Sequence, residues 1–177
     1  LKNKLLQLHQ VNVVKINHSV MELVCAKHLL LKGYEVDVEH LLDEALKCDL
    51  YGVKGHGTLI VEIETGFVPP EHAIDPATYS SARIASKITR YSSYSRKFAL
   101  GIPPHYILPI PTVFTSPPRK REAEDLKALK NLCDLYYKNP PVSLEEIRNA
   151  RLDIIYLINV DDIVVEEIDP GTYVRTH

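Results

Sequence analysis

The chain has 177 residues, of which 45% are hydrophobic and 25% charged, with a formal net charge of −2. This length suits one domain with its own core, and the composition is that of a globular protein. Bulk basic charge is excluded as the means of holding a nucleic acid, which leaves that task to local patches. No apolar run reaches the ~20 residues needed to cross a bilayer, and no signal-peptide pattern is seen, so no membrane partner is expected. The three cysteines, Cys25, Cys48 and Cys133, are far apart and form no CxxC pair. They suggest neither a zinc site nor a disulfide framework, and they predict a reducing, intracellular (cytoplasmic) setting.

In chain order, residues 1–12 mix Lys and Leu and suit a short helix or arm. Asn17 or Ser19 can cap a helix through Val20, Leu23, Val24, Lys27, Leu30 and Leu31, with Gly33 at its end. Residues 34–39 alternate as a strand, and 40–47 suit a turn of helix. Residues 49–53 form a short strand, Lys54-Gly55-His56-Gly57 a tight hairpin turn, and Thr58 to Glu64 the returning strand. Alternation puts Ile60, Glu62 and Glu64 on one face of that strand and Leu59, Val61 and Ile63 on the other. After a proline-marked loop, a helix from about Pro76 to Ser93 carries Arg83, Lys87 and Arg90 on one face, beside an apolar face of Ile84, Ile88 and Tyr91. Lys97 to Ile102 is a buried strand stopped by Pro103-Pro104, and a proline-rich irregular segment follows. Arg119 to Lys138 is an amphipathic helix with a stripe of Leu126, Leu129, Leu132, Cys133 and Tyr136. Ser143 and Glu146 have capping-box spacing. Leu152 to Val165 supplies one or two strands, with Asp161-Asp162 as a turn. The order predicts an α/β sandwich around a mixed central sheet flanked by helices.

The chemistry concentrates around residues 48–66. A buried carboxylate without a partner is costly, so two of them within an apolar strand need a reason. Asp49 and Glu62 become neighbours across the hairpin if the register agrees. Glu62 and Glu64 project to the same side, about 7 Å apart along the strand. Asp49, Glu62 and the carbonyl of Ile63 then make a three-oxygen corner for Mg²⁺ or Mn²⁺. The plain alternative is that Glu62 and Glu64 lie on a solvent face. The histidines show no HxH or HExxH spacing. His18 is one turn before Glu22 and can face the same place, although capping or surface exposure is its expected role. No GxSxG or phosphate-loop pattern occurs.

The sequence of helix, strand, Asp49, glycine hairpin, Glu62-Ile63-Glu64 strand, helix and strand resembles the PD-(D/E)xK nuclease superfamily. The similarity is to its restriction-endonuclease-like and archaeal Holliday-junction-resolvase-like members. It covers roughly residues 15–104 of a single domain, with 105–177 as a C-terminal extension. The resemblance implies a restriction-endonuclease-like fold and a metal-dependent DNA endonuclease, many of whose relatives cut as homodimers. It implies Asp49 and Glu62 as the acidic pair, Glu22 as a further metal-site carboxylate, and the helix bearing Lys87 as a contributor to the site. Cys48 stands where most members have Pro, and Glu64 stands where most have a catalytic Lys, although a minority carry Glu there. The expected site is thus Asp49, Glu62, Glu64 and Lys87 for catalysis, with Glu22, Asp49, Glu62 and Ile63 around Mg²⁺ or Mn²⁺. Arg83, Lys87, Arg90 and, more weakly, Lys54 are the expected DNA contacts. The alternative is a catalytically inactive nuclease-fold module for DNA binding or assembly. A third is an unrelated α/β protein whose Glu-x-Glu faces solvent.

Overall fold

The computed structural model describes residues 1–4 and 16–177, and most of the expected N-terminal arm falls outside them. The first helix, α1 (Ile16–Leu31), ends where Gly33 takes a φ of +83°. Only glycine holds that conformation without strain. It lets the N–H of Gly33 reach the carbonyl of Leu30 and that of Tyr34 reach Leu29. Asn17 and Ser19 lie inside the helix rather than capping it.

The alternating segments that follow form an antiparallel meander of β1 (Glu35–Leu41), β2 (Lys47–Lys54) and β3 (Gly57–Ile63). Residues 40–47 are not a helical turn. Their helix-favouring Leu, Ala and Glu side chains yield to strand pairing, and Asp43 fixes the bend by accepting from the N–H groups of Ala45 and Leu46. The β2–β3 turn is the expected tight one, with Lys54 paired to Gly57 and a φ of +57° at Gly55. Helix α2 (Pro76–Tyr91) is capped by Asp75, which accepts from the N–H of Thr78. It returns the chain to β4 (Lys97–Ile102), parallel to β3. Helices α3 (Ala123–Asp134) and α4 (Leu144–Asn149) precede β5 (Ile154–Asn159), which is parallel to β4. Ser143 and Glu146 form the expected capping box. An antiparallel edge strand β6 (Val164–Ile168) and a short helix α5 (Pro170–Thr176) end the chain. The result is an α/β protein with a six-stranded mixed sheet in chain order. No helix of the described residues is long and apolar enough to cross a membrane.

Two cores flank the sheet. On one face α1 packs Met21, Cys25 and Leu29 against Leu59, Val61 and Ile63. On the other, α2, α3 and α4 bring Ile84, Ile88, Leu126, Leu129 and Ile147 against Ile60, Phe98 and Leu100. The alternation predicted for β3 therefore decides which residues meet which helix, and Glu62 and Glu64 are directed toward α2 and away from solvent.

Arg121 anchors the irregular segment before α3. The basic triplet Arg119 to Arg121 reads from sequence as ordinary surface, yet Arg121 is only 6% exposed. Its guanidinium donates to the carbonyls of Ser116, Ile147, Arg148 and Ala150. Three of these belong to the C-terminal turn of α4, where carbonyls lack helical partners and a cation is favourable. Arg121→Ala leaves them unpaired and is expected to lower unfolding free energy by about 2–3 kcal/mol in urea titrations. A loss within error would show that water replaces the guanidinium without cost.

Candidate active site

The β2–β3 ladder stops at Leu50 opposite Val61. One position further, where Asp49 and Glu62 would face each other, the strands exchange side-chain bonds instead. The N–H of Asp49 donates to Glu62 Oε1 at 3.0 Å, and the N–H of Ile63 donates to Asp49 Oδ2 at 2.6 Å. The alternation of β2 breaks at the same residue. Leu50 packs against the α1 side, whereas Cys48 belongs to the core on the α2 side. Glu39, opposite Asp49 on β1, has a φ of +49°, a strained value for a residue other than glycine. The end of β2 is thus turned, and the gap it leaves is lined by carboxylates.

Cations enter the gap from the α2 side. Lys87 Nζ lies 3.0 Å from Glu62 Oε2, 2.8 Å from Glu64 Oε1 and 3.3 Å from the carbonyl oxygen of Ile63, to which it donates. Arg83 Nε donates to the same oxygen of Glu64 at 3.0 Å. Glu62 and Glu64 are 2% and 1% exposed, so neither lies on a solvent face. From the α1 side, His18 Nε2 lies 3.4 Å from Asp49 Oδ2, and His18 Nδ1 lies 3.6 Å from Glu22 Oε1. Glu22 is 0% exposed, and neither of its oxygens has a hydrogen-bond partner among the described residues.

The structure therefore brings together Glu22, Asp49, Glu62, Glu64 and Lys87, all of them expected, and adds Arg83 and His18. Arg83 is expected at a DNA surface but is turned inward onto Glu64. The other two residues of the expected DNA set bond elsewhere. Arg90 Nη2 donates to the carbonyl of Pro140, and Lys54 Nζ donates to the carbonyl of Lys32. The expected metal corner of Asp49, Glu62 and the Ile63 carbonyl is engaged by Lys87. A second donor set lies on the other side of the gap, where atoms of His18, Glu22 and Asp49 lie within 4.8 Å of one another. The sequence signal for His18 is its position one helical turn before Glu22, which puts the two on the same face of α1.

The electrostatics follow from burial and from charge crowding. Burial, reinforced by the Asp49 charge, pushes the Glu22 carboxyl up to about 8. Burial and Asp49 do the same to Glu62, also to about 8, against the pull of Lys87. Burial opposes the charged forms of His18 and Asp49 too, but their mutual contact prevails. His18 is held at about 9, and Asp49 stays below its ordinary value with help from Lys87 and the Ile63 N–H. For Lys87, the three carboxylates Glu62, Glu64 and Asp49 overcome burial and hold its ammonium firmly protonated.

These directions set a pH dependence for the metal-free protein. Glu22 and Glu62 keep protons in the folded state that the unfolded chain releases near 4.5, so their contribution is full below 4.5 and lost as pH rises through about 8. The contribution of His18 is full below 6.5 and lost as pH rises through about 9. All three make stability fall toward alkaline pH. Glu22→Gln removes one of these protons and is expected to flatten the decline by as much as about 1.4 kcal/mol per pH unit. Urea unfolding across this range in the presence of a chelator measures it, and parallel curves for the two proteins would refute it. Lys87→Met removes the cation from Glu62, while Arg83 still holds Glu64, and is expected to cost about 3–5 kcal/mol at pH 8. The same titration should show a smaller loss in acid, where the Glu62 carboxyl is neutral. No family model, curated protein or solved structure matches this chain.

Proposed function

We propose that this protein is a metal-dependent deoxyribonuclease of the PD-(D/E)xK type, hydrolysing phosphodiester bonds at the open end of β2 and β3. DNA as substrate, a restriction-endonuclease-like fold and a homodimeric arrangement belong to the same proposal. The element order supports the fold, because a helix, three strands, a second helix and a further strand is the order on which the resemblance rests. The observation that carries the function is Glu22. A fully buried carboxylate with no hydrogen bond is costly, and its oxygen lies within 4.8 Å of donor atoms of His18 and Asp49.

That donor set fits a divalent ion. Two carboxylates suit Mg²⁺ or Mn²⁺, and the imidazole tilts the preference toward Mn²⁺. Glu22 and Asp49 would hold the ion, with His18 as the third ligand after losing its proton. When bound, the ion supplies Lewis-acid stabilisation of phosphoryl charge and acidifies a water. The chain's own groups do the rest. Lys87, fixed by Glu62 and Glu64, offers a permanent positive charge beside Asp49 for a non-bridging phosphate oxygen. The Glu62 carboxyl, pushed up to about 8, is poised near neutrality to accept a proton from the attacking water. Glu64 positions Lys87, with Arg83 sharing its oxygen.

A second reading rests on Lys87 itself. Its ammonium engages Glu62, Glu64 and the Ile63 carbonyl, and so fills the expected metal corner with the chain's own cation. That arrangement suits an inactive nuclease-fold module. Plasmid and oligonucleotide cleavage with Mg²⁺ or Mn²⁺ tests the first reading. Asp49→Ala should abolish cleavage, and Glu62→Gln should slow it by about 10²–10⁴-fold. Cleavage surviving Asp49→Ala overturns the assignment. Calorimetry showing no Mn²⁺ binding that depends on Glu22 and Asp49 would instead favour the inactive module.

A further inference from the structure

We propose that a cleft beside the carboxylate gap is a nucleobase subsite, so that the substrate is an unpaired or splayed strand; this rests on the phosphodiesterase proposed above. Strands β3, β4 and β5 are parallel and end on one edge of the sheet. Ligands of open α/β sheets characteristically bind outside such carboxyl ends. Here the first turns of α1 lean over the strand ends and enclose a cleft of about 550 Å³. Its walls include Asn17, Met21, Thr65, Pro103, Ile158 and Asp161. Three of these are chain neighbours of the site, since Asn17 adjoins His18, Met21 adjoins Glu22 and Thr65 adjoins Glu64. The cleft and the gap are therefore contiguous along the chain on two separate elements.

The lining selects the occupant. None of the described residues that form it is a lysine or arginine, and the Asp161 carboxylate repels anions. The cleft lies on the α1 side of the sheet and takes a neutral group, under the nuclease proposal a part of the nucleic acid other than its phosphate. Apolar surfaces of Val20, Pro103, Pro104 and Val160 suit the faces of a flat ring, whereas Asn17, Thr65, His105 and Asp161 offer hydrogen bonds to its edge. The volume lies within the usual range of small-molecule sites. In a nucleic-acid substrate a flat, neutral, hydrogen-bonding ring is a nucleobase, and exocyclic amines of adenine or cytosine complement Asp161. A base stacked within a duplex cannot enter such a cleft, whereas one that is flipped or single-stranded can.

The test titrates the full-length chain, in chelator, with dAMP, dCMP, TMP and deoxyribose 5-phosphate, followed by NMR. Saturable binding of the nucleotides, at least tenfold tighter than that of the sugar phosphate, is expected. Val160→Trp, on the cleft wall, should weaken nucleotide binding at least tenfold while leaving the sugar phosphate unaffected. Asp161→Ala should remove the preference for dAMP and dCMP over TMP, which keeps the proposal testable if the tryptophan variant does not fold. Equal affinity for nucleotide and sugar phosphate, or folded variants with wild-type nucleotide affinities, would overturn the subsite. Failure of the nuclease proposal looks different, because nucleotide binding would persist without any Asp49-dependent cleavage. Failure of the subsite alone would leave Asp49-dependent cleavage that is as fast on intact duplex as on single strands.

Discussion

The exchange of backbone N–H groups between β2 and β3, from Asp49 to Glu62 and from Ile63 to Asp49, is the constraint on which the site depends. An antiparallel ladder ordinarily consumes the backbone groups of both strands, and a strand end that opens must satisfy them otherwise. Here each carboxylate takes a backbone N–H from the opposite strand. The oxygens are thereby held at the opened strand end. Helix α2 answers from one side with Lys87 and Arg83, and α1 from the other with His18 and Glu22. Neither helix can shift along the sheet without uncoupling charges in the interior, so the site and the packing of both layers are one structural unit.

The part of this arrangement that local chemistry determines is legible in the sequence. The Lys54 to Gly57 turn admits one tight register, and counting back along it puts Asp49 opposite Glu62. The alternation of Thr58 to Glu64 assigns the two glutamates to one face, and the i, i+4 spacing assigns Arg83 and Lys87 to another. What faces those surfaces is not legible. A basic stripe beside tyrosines has the same spacing whether it meets a phosphate backbone or a buried glutamate, and only the packing of α2 on β3 turns it inward. Arg121 is illegible for the same reason, because the carbonyls it serves belong to a helix more than twenty positions later. Residues 40–47 mislead differently, since favourable helix propensities lose to strand pairing on both sides of a bend fixed by Asp43.

Glu64 and Lys87 bear on what the absence of a lysine at position 64 means. The ammonium Nζ rests 2.8 Å from Glu64 Oε1, so positive charge reaches the end of β3 from α2 rather than from the strand itself. Carrying it from a helix requires an anchor, because a lysine stem is flexible, and Glu64 with Glu62 supplies that anchor. In this geometry an acid at position 64 is a requirement of the lysine at 87.

The two sides of the gap are consequently unequal. On the α2 side every carboxylate oxygen named above has a hydrogen-bond or ion-pair partner, with the cations Lys87 and Arg83 meeting the carboxylates Glu62 and Glu64. On the α1 side Glu22 is buried without a hydrogen bond, and one imidazole is shared between two carboxylates separated by a turn of helix and the width of the gap. Added cation is therefore favoured only from α1, and added anion only near Lys87. A phosphodiester bound with a divalent ion presents those two charges together, whereas a simple anion or a simple cation can satisfy only one side. This asymmetry makes a structural salt-bridge cluster an incomplete account of the site, because a purely structural cluster has no reason to leave both Glu22 oxygens without a hydrogen bond.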